Sequence, residues 1–308
     1  MFGNPEIQNL IIKNFIPVAA DDWYQRRRQD AEGEFFRSVA DQGPRKGAGG
    51  STRQGRYAFS ASGKLLGFNN NRSPERMLTM LSSSLEAFAK LPKSEPVTLA
   101  ASTDNKYTRT PPADGLVLKA HTRCLEDDLS HAGKAGANTD TFRHNGFGAA
   151  TDHLWITADE KHALASVTKN TPLPANLAKR IARFHLVDST RGEPPHWRQE
   201  EIRSIELTAT KSSGGSLSLS GTFHLATADD TRGYSGQLRG TVQLAANHTV
   251  TRFDLVALGD HWGEGTYTRG ARPGKTPLAV AFSLAELEKP ADRVPPQGIR
   301  WEQGYYQP

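Results

Sequence analysis

The sequence contains one cysteine, Cys124. A single thiol excludes an intramolecular disulfide and a metal site made of cysteines alone, and it leaves the redox compartment unread. Within LKAHTRCLED it falls on an alternation of apolar and polar residues, the setting of a small buried strand residue. No run approaches the ~18 apolar residues that a membrane-spanning helix needs, and the first residues, MFGNPEIQNL, lack the basic start and apolar core of a secretory leader. Nucleophile-elbow, Walker, paired zinc-ligand and dinucleotide-binding signatures are missing too, so the hydrolase, nucleotidase and dehydrogenase classes have no signal here, and no cofactor or metal is expected. Internal repeats are also absent. The formal charge is +5, with the basic residues scattered apart from Arg26-Arg27-Arg28 and Arg45-Lys46; this is the pattern of a solvated surface, and no nucleic-acid partner is expected.

With 308 residues the chain has the length of two ordinary domains. The opening NPEIQNLIIKNFIPVAADDW starts with a capping Asn4 and a Pro5 suited to the first helical position, followed by Ile7, Leu10 and Ile11 on one helical face. Residues 15–20 form a compact apolar run closed by Asp21 and Asp22, which predicts a buried parallel strand. Phe35, Phe36 and Val39 recur at helical spacing over 31–40. The Gly-rich, basic stretch 42–55 leads from a helix into a strand, the reverse of a phosphate-cradling loop, and reads as a flexible connection. YAFSASGKLLGF predicts a hairpin turning at Ser62-Gly63, and Ser73-Pro74-Glu75 opens a helix whose Met77, Leu78, Leu81, Leu85 and Phe88 form a core stripe.

This order of helix, buried strand, helix, hairpin and helix resembles the thioredoxin-like fold from just after its first strand, over about 90 residues. The resemblance implies an α/β domain at 1–91, related to proteins of thiol redox or metal handling. It also implies a Cys-x-x-Cys ahead of the first helix and a cis-proline ahead of the hairpin. Here the chain opens Met1-Phe2-Gly3, and 50–55 holds no proline, so both redox features are missing. The expectation is a thioredoxin-like protein without dithiol activity in this form. The alternative is a non-catalytic binding protein that uses this domain as a scaffold and the rest of the chain as its site for a protein or small-molecule partner. A thioredoxin-like sheet sets its first strand in the middle. Met1 is therefore expected to be internal to a longer protein, with a strand and a reactive motif encoded upstream, through a selenocysteine codon read as a stop.

Prolines 92, 96, 111 and 112 bracket a polar stretch without periodicity, read as a linker over 92–112. From 113 to 308 the pattern becomes mainly antiparallel β: strands at LVLKAHTRCL, HLWIT, 202–208, 216–227, 236–244, 250–258 and 277–284, with one helix at 174–184. Turn-rich spacing of this kind suggests a sandwich or open barrel. The tail from Lys289 is expected to lie across the surface.

Two stiffened loops carry the candidate chemistry. LGDHWGEGTYTRGARPG, at 258–274, brings Asp260, His261 and Glu264 within five residues, where imidazole and carboxylates can move protons or hold a ligand, or else serve as hydrogen-bonded loop structure. DSTRGEPPHW, at 188–197, presents Arg191, Glu193 and His196 on a backbone fixed by two prolines, as a ligand site or as a rigid turn. If the loops fall at one end of the β domain, Asp260, His261, Glu264, His196 and Arg191 line one concavity. Asp152-His153 reads as a turn leading into a strand, and Asn247-His248-Thr249 matches a glycosylation acceptor, a weak signal without a leader.

One thiol cannot resolve a mixed disulfide. The chain is therefore expected to show no turnover in an insulin-reduction assay, and turnover that survives Cys124→Ser would contradict any thiol-based reading.

Overall fold

In a computed structural model, described over residues 2, 4–47, 51–125, 149–212 and 215–308, the chain forms two compact units, Met1–Arg109 and Thr110–Pro308. No helix among the described residues is long and apolar enough to cross a membrane.

The first unit contains α1 (Pro5–Asn14), α2 (Asp22–Gln25), α3 (Ala31–Ala40), the hairpin β1 (Arg56–Phe59) and β2 (Leu65–Asn69), and α4 (Pro74–Ala89). The Asn4 side chain accepts from the backbone N–H groups of Glu6 and Ile7, at 2.9 and 3.2 Å, and Ser73 caps α4 in the same way. Ile7 of α1 packs against Met77 and Leu81 of α4, and Gly63, at φ 81°, supplies the left-handed residue that the hairpin loop requires. Phe88, by contrast, is exposed at the end of the α4 stripe.

Residues 15–20 do not form the expected strand. They run extended but unpaired, with Ile16 93% and Val18 79% exposed, because β1 and β2 hydrogen-bond only to each other. An apolar run becomes a buried strand only where a ladder partner exists. Asp22–Gln25, read as a polar link, is a short helix capped by Asp21. The stretch 92–112 lacks regular structure, yet much of it is docked on the first unit: Val97 N–H donates to Ala61 O, Asp104 N–H to Asp30 Oδ2, and Tyr107 meets Trp23 edge-on. Prolines and polar residues signal missing periodicity, not missing contacts.

The second unit is built on one eight-stranded antiparallel sheet. Its strands are β3 (Leu116–Cys124), β4 (Ala149–Ile156), β5 (Thr171–Pro172), β6 (Ile202–Lys211), β7 (Ser216–Ala226), β8 (Gly233–Leu244), β9 (Val250–Trp262) and β10 (Thr276–Leu284), in the order β4-β3-β10-β9-β8-β7-β6-β5. It is a single unclosed sheet, not two sheets packed as a sandwich. The residues between β3 and β4, 126–148, and those at 213–214 lie outside the described residues.

Period-two alternation sets the inner face: Leu217, Leu219, Phe223 and Leu225 of β7, Tyr234, Leu238 and Val242 of β8, Phe253, Leu255 and Ala257 of β9, and Leu278, Val280 and Phe282 of β10. Glycines interrupt these rows where the sheet must curve. Gly236 and Gly259 stand opposite each other, and a Cβ added to either would lie 2.2 or 2.0 Å from a carbonyl oxygen of the other strand.

The chain covers this face with itself. Thr157 and Glu160 form a capping box at α5 (Ala158–Ala165), a helix that the Thr-x-x-Glu spacing encodes and the sequence reading missed. The single helix expected at 174–184 is α6 (Ala175–Arg180) widening into a π-turn at Ile181–His185. Leu164, Leu177, Ile181, Leu186 and Trp197 fill the inner face, so the interior of the sheet holds packed side chains.

The tail corrects the expectation most sharply. After two short 3-10 turns, helix α7 (Glu302–Tyr306) brings Tyr305 to full burial with Val117, Trp155, Phe184 and Ile299. Its hydroxyl accepts the Trp155 N–H of edge strand β4 at 3.2 Å and lies 3.0 Å from His185 Nε2. Arg180 closes the same edge: it is 1% exposed and donates to Trp155 O, both Glu160 oxygens, Tyr305 O and Tyr306 O. The opposite edge is blunted by being two residues long and ending in Pro172.

Tyr305→Phe leaves the buried Trp155 N–H without its acceptor at nearly unchanged shape. It is expected to lower stability by about 1–3 kcal/mol in urea unfolding of the full chain, while Trp301→Ala, at an exposed position of the same tail, should be nearly silent.

Candidate functional site

Register, not loop flexibility, places the central residue. Strand β9 continues to Trp262, so Asp260 and His261 belong to a strand instead of the predicted loop. Thr276, His261 and Tyr234 stand side by side on the inner face at the end of β10, β9 and β8. Cys124 lies opposite Leu278 on the same face, and the 188–197 loop covers this end of the sheet.

Two cavities of about 10 Å³, each with room for about one water molecule, flank His261. Cys124, Asp188, Arg191, Arg272, Thr276 and Leu278 line the first; Asp188, Arg191, Trp197, Arg232, Glu264 and Thr268 contribute to the second. Beside them, Asp230, Trp262, Arg272 and Lys275 border an open depression of about 380 Å³. Gly263, Ala271 and Arg272 each border this depression and one of the cavities.

Of the residues singled out in the sequence, Arg191, His261 and Glu264 meet here. Asp260 is turned to the outer face by strand alternation, one residue before a buried His261. His196 packs edge-on against Phe184 at 5.0 Å, in the neighbouring cluster with His185, and lines none of these cavities. Glu193 pairs with Arg300 at the surface. Asp188 was overlooked, although an Asp two residues before a Thr signals a local turn: Asp188 Oδ1 accepts from Thr190 N at 3.0 Å and from its hydroxyl at 2.5 Å.

The electrostatics are set by burial. His261 is 7% exposed, and burial among Arg191, Arg232 and Arg272 pushes its pKa down to about 4 against the opposing pull of Asp188, so the imidazole is neutral at pH 7. Its ring nitrogens make no hydrogen bond with any described residue. Burial raises the Asp188 carboxyl, but Arg191, whose Nε donates to Oδ2 at 2.7 Å, and the Thr190 hydrogen bonds outweigh this and hold it below the ordinary value. Cys124 is pushed up to about 11 by burial and by Asp188, with its Sγ 3.4 Å from Thr190 Oγ1. A thiol of that kind is a poor nucleophile.

Arg191 holds the 263–275 segment in place. Its Nη1 donates to Thr268 O at 2.5 Å and its Nη2 to Gly263 O at 3.2 Å, while Arg272 donates to Leu125 O and Pro277 O. Trp262 lies across Gly233, donates from Nε1 to Asp230 O, and carries Lys275 Nζ 4.1 Å from its ring centre. Among the described residues no group of three or more His, Cys, Asp or Glu is arranged to hold a metal, and the one hydroxyl bonded to His261, that of Thr276, donates to its backbone carbonyl and not to its ring. The arrangement can bind and orient a polar group; it has no activated nucleophile.

A second buried network, Asp152, His185 and Tyr305, joins β4, the π-turn and the tail, with His185 Nδ1 3.4 Å from Asp152 Oδ2. Full burial of Tyr305 makes it a structural tie. Asp152 points inward from β4 and His153 outward, so the pair read as a turn sits within the strand on opposite faces.

Comparison with family models, curated proteins and solved structures finds no match to this chain.

The lowered His261 pKa fixes the sign of a pH effect. Between the unfolded value near 6.5 and the folded value near 4 the unfolded chain binds the extra proton, so stability is full above pH 6.5 and falls as pH drops toward 4. His196, also near 4, acts in the same window, whereas the lowered Asp188 acts below its ordinary value of 3.8. His261→Gln is therefore expected to flatten the fall in melting temperature between pH 7 and pH 4.5 by several degrees, as measured by calorimetry; an unchanged slope would contradict the assignment.

Proposed function

We propose that the chain is a non-catalytic binding protein whose β unit takes a ligand or partner group at the end of β8–β10. The observation that carries this reading is the His261 imidazole: buried, neutral, without a hydrogen-bond partner among the described residues, and facing two cavities. A neutral imidazole has one ring N–H to donate and one ring nitrogen to accept, which a ligand or an ordered water in the cavities can engage. The adjoining depression of about 380 Å³ falls within the size range of small-molecule sites. It is bordered by an indole face and two cations, and lies where strand ends and irregular segments meet.

The Cys124 thiol supports the same reading from the other side, since burial and a pKa near 11 keep it out of exchange chemistry. On this view the first unit is a scaffold of thioredoxin-like descent. Its α3, hairpin and α4 keep part of that family's order, while the buried strand at 15–20 is absent and α2 intervenes.

A thermal-shift panel on the full chain, using small anions, neutral polyols and polyamines, tests the proposal. At least one class is expected to raise the melting temperature by several degrees, with the gain lost in His261→Gln. If no class stabilises the protein, or if the gain persists in His261→Gln, the binding reading of this site fails.

A further inference from the structure

The two cavities beside His261 and the open depression beside Trp262 share their walls. Gly263 borders the second cavity and the depression, Ala271 and Arg272 border the first cavity and the depression, and Trp262 follows His261 at the strand end on the other face. The segment 263–275 is a strap hinged on glycine: Gly263, Gly270 and Gly274 have φ of 76°, 84° and 72°, conformations that other residues rarely adopt. Around Gly270 and Gly274 there is open space, and Tyr267 at the strap's centre is 75% exposed. Within the strap, Glu264 accepts from Gly270 N and Ala271 N, and Thr268 Oγ1 accepts from Gly265 N, so it keeps its own shape if it moves.

Two arginines tie it to the body of the unit: Arg272, which donates to Leu125 O and Pro277 O at one end, and Arg191 at the other. Asp188 fixes the Arg191 guanidinium through Nε, while Nη1 and Nη2 are spent on two neutral strap carbonyls, Thr268 O and Gly263 O. A charged oxygen offered to the same donors makes charge-assisted hydrogen bonds, about twice as strong as those to neutral carbonyls. The surroundings favour such a group: Arg272 and Lys275 stand against Asp230 at the depression, His261 has a ring N–H to donate, and Lys275 is held only on the Trp262 face.

Building on the binding reading above, we propose that the site takes a small organic oxyanion, a carboxylate or phosphate group on a body that rests against Trp262, and that the 263–275 strap is its door. The anion takes the two Nη groups of Arg191 from the strap carbonyls and the N–H of His261, and the 263–268 part of the strap is released while Arg272 keeps the other end in place. No bond other than hydrogen bonds is made or broken.

The test uses the full chain with succinate and glycerol phosphate as anionic probes, and putrescine and glycerol as the cationic and neutral controls. Titration calorimetry reads affinity, and hydrogen exchange reads the amides of 264–271. The expected result is binding of one or both anions, no binding of the controls, and amide exchange in 264–271 faster by at least about threefold in the complex. Lys275→Glu, at an exposed position, should weaken the anion by about tenfold, with the protein still folded by circular dichroism. If only the carboxylate binds or only the phosphate binds, that result names the source of the group. Anion binding with unchanged exchange in 264–271 overturns the strap and leaves the binding site standing. Binding of putrescine or glycerol, lost in His261→Gln, overturns the anion class alone. If no probe of any charge binds, both this inference and the reading beneath it fall.

Discussion

A guanidinium shut away from water must have its donors met by the protein, and Arg180 has all five N–H groups engaged. Two go to the Glu160 carboxylate, one to the carbonyl of an edge strand, and two to carbonyls of the tail, with the rings of Tyr305 and Tyr306 about its plane. One side chain thus ties α5, β4, α6 and α7. Removing either charge would leave the other buried without its partner, a loss of about 3–5 kcal/mol. Replacing the whole arrangement by apolar residues would cost far less. What the polar form supplies is direction: only one placement of the tail brings two carbonyls and the Tyr305 hydroxyl to the β4 edge together.

The location of the site follows from that closure. With the inner face filled by α5, α6 and the π-turn, with one edge sealed by the tail and the other shortened to two residues, the sheet has no large cavity among its described residues. Among the described residues, two small cavities lie at the end of β8–β10. There the register brings His261 and Cys124 to the inner face, and a glycine-hinged strap stands in place of a packed helix. The inertness of Cys124 and the neutrality of His261 have one cause, burial.

The elements that the sequence made legible are those encoded locally. The caps at Asn4 and Ser73, the Gly63 turn and the alternation of β6 to β10 depend on neighbours in the chain, and they stand where the sequence puts them. Residues 15–20 were misread because a buried strand depends on a partner that alternation cannot reveal. The tail was misread because its Pro and aromatic content resembles a surface strap, while Tyr305 owes its burial to Arg180, 125 positions away. The site was half legible: Arg191, His261 and Glu264 were singled out and converge, but Asp260 lies one residue out of phase and His196 belongs to the neighbouring cluster. Asp188 and Cys124 joined the site through register and an Asp turn, signals that acquire meaning only once the sheet order is known.

Among the described residues the tail seals the β4 edge while the strap stays loosely held, and native-state hydrogen exchange on the free protein tests this contrast most directly. The account predicts that the Trp155 amide, though it lies on an edge strand, exchanges as slowly as Leu238 and Leu255 at the centre of the sheet, while the amides of 264–271 exchange orders of magnitude faster. A Trp155 amide exchanging as fast as those of the strap would contradict it.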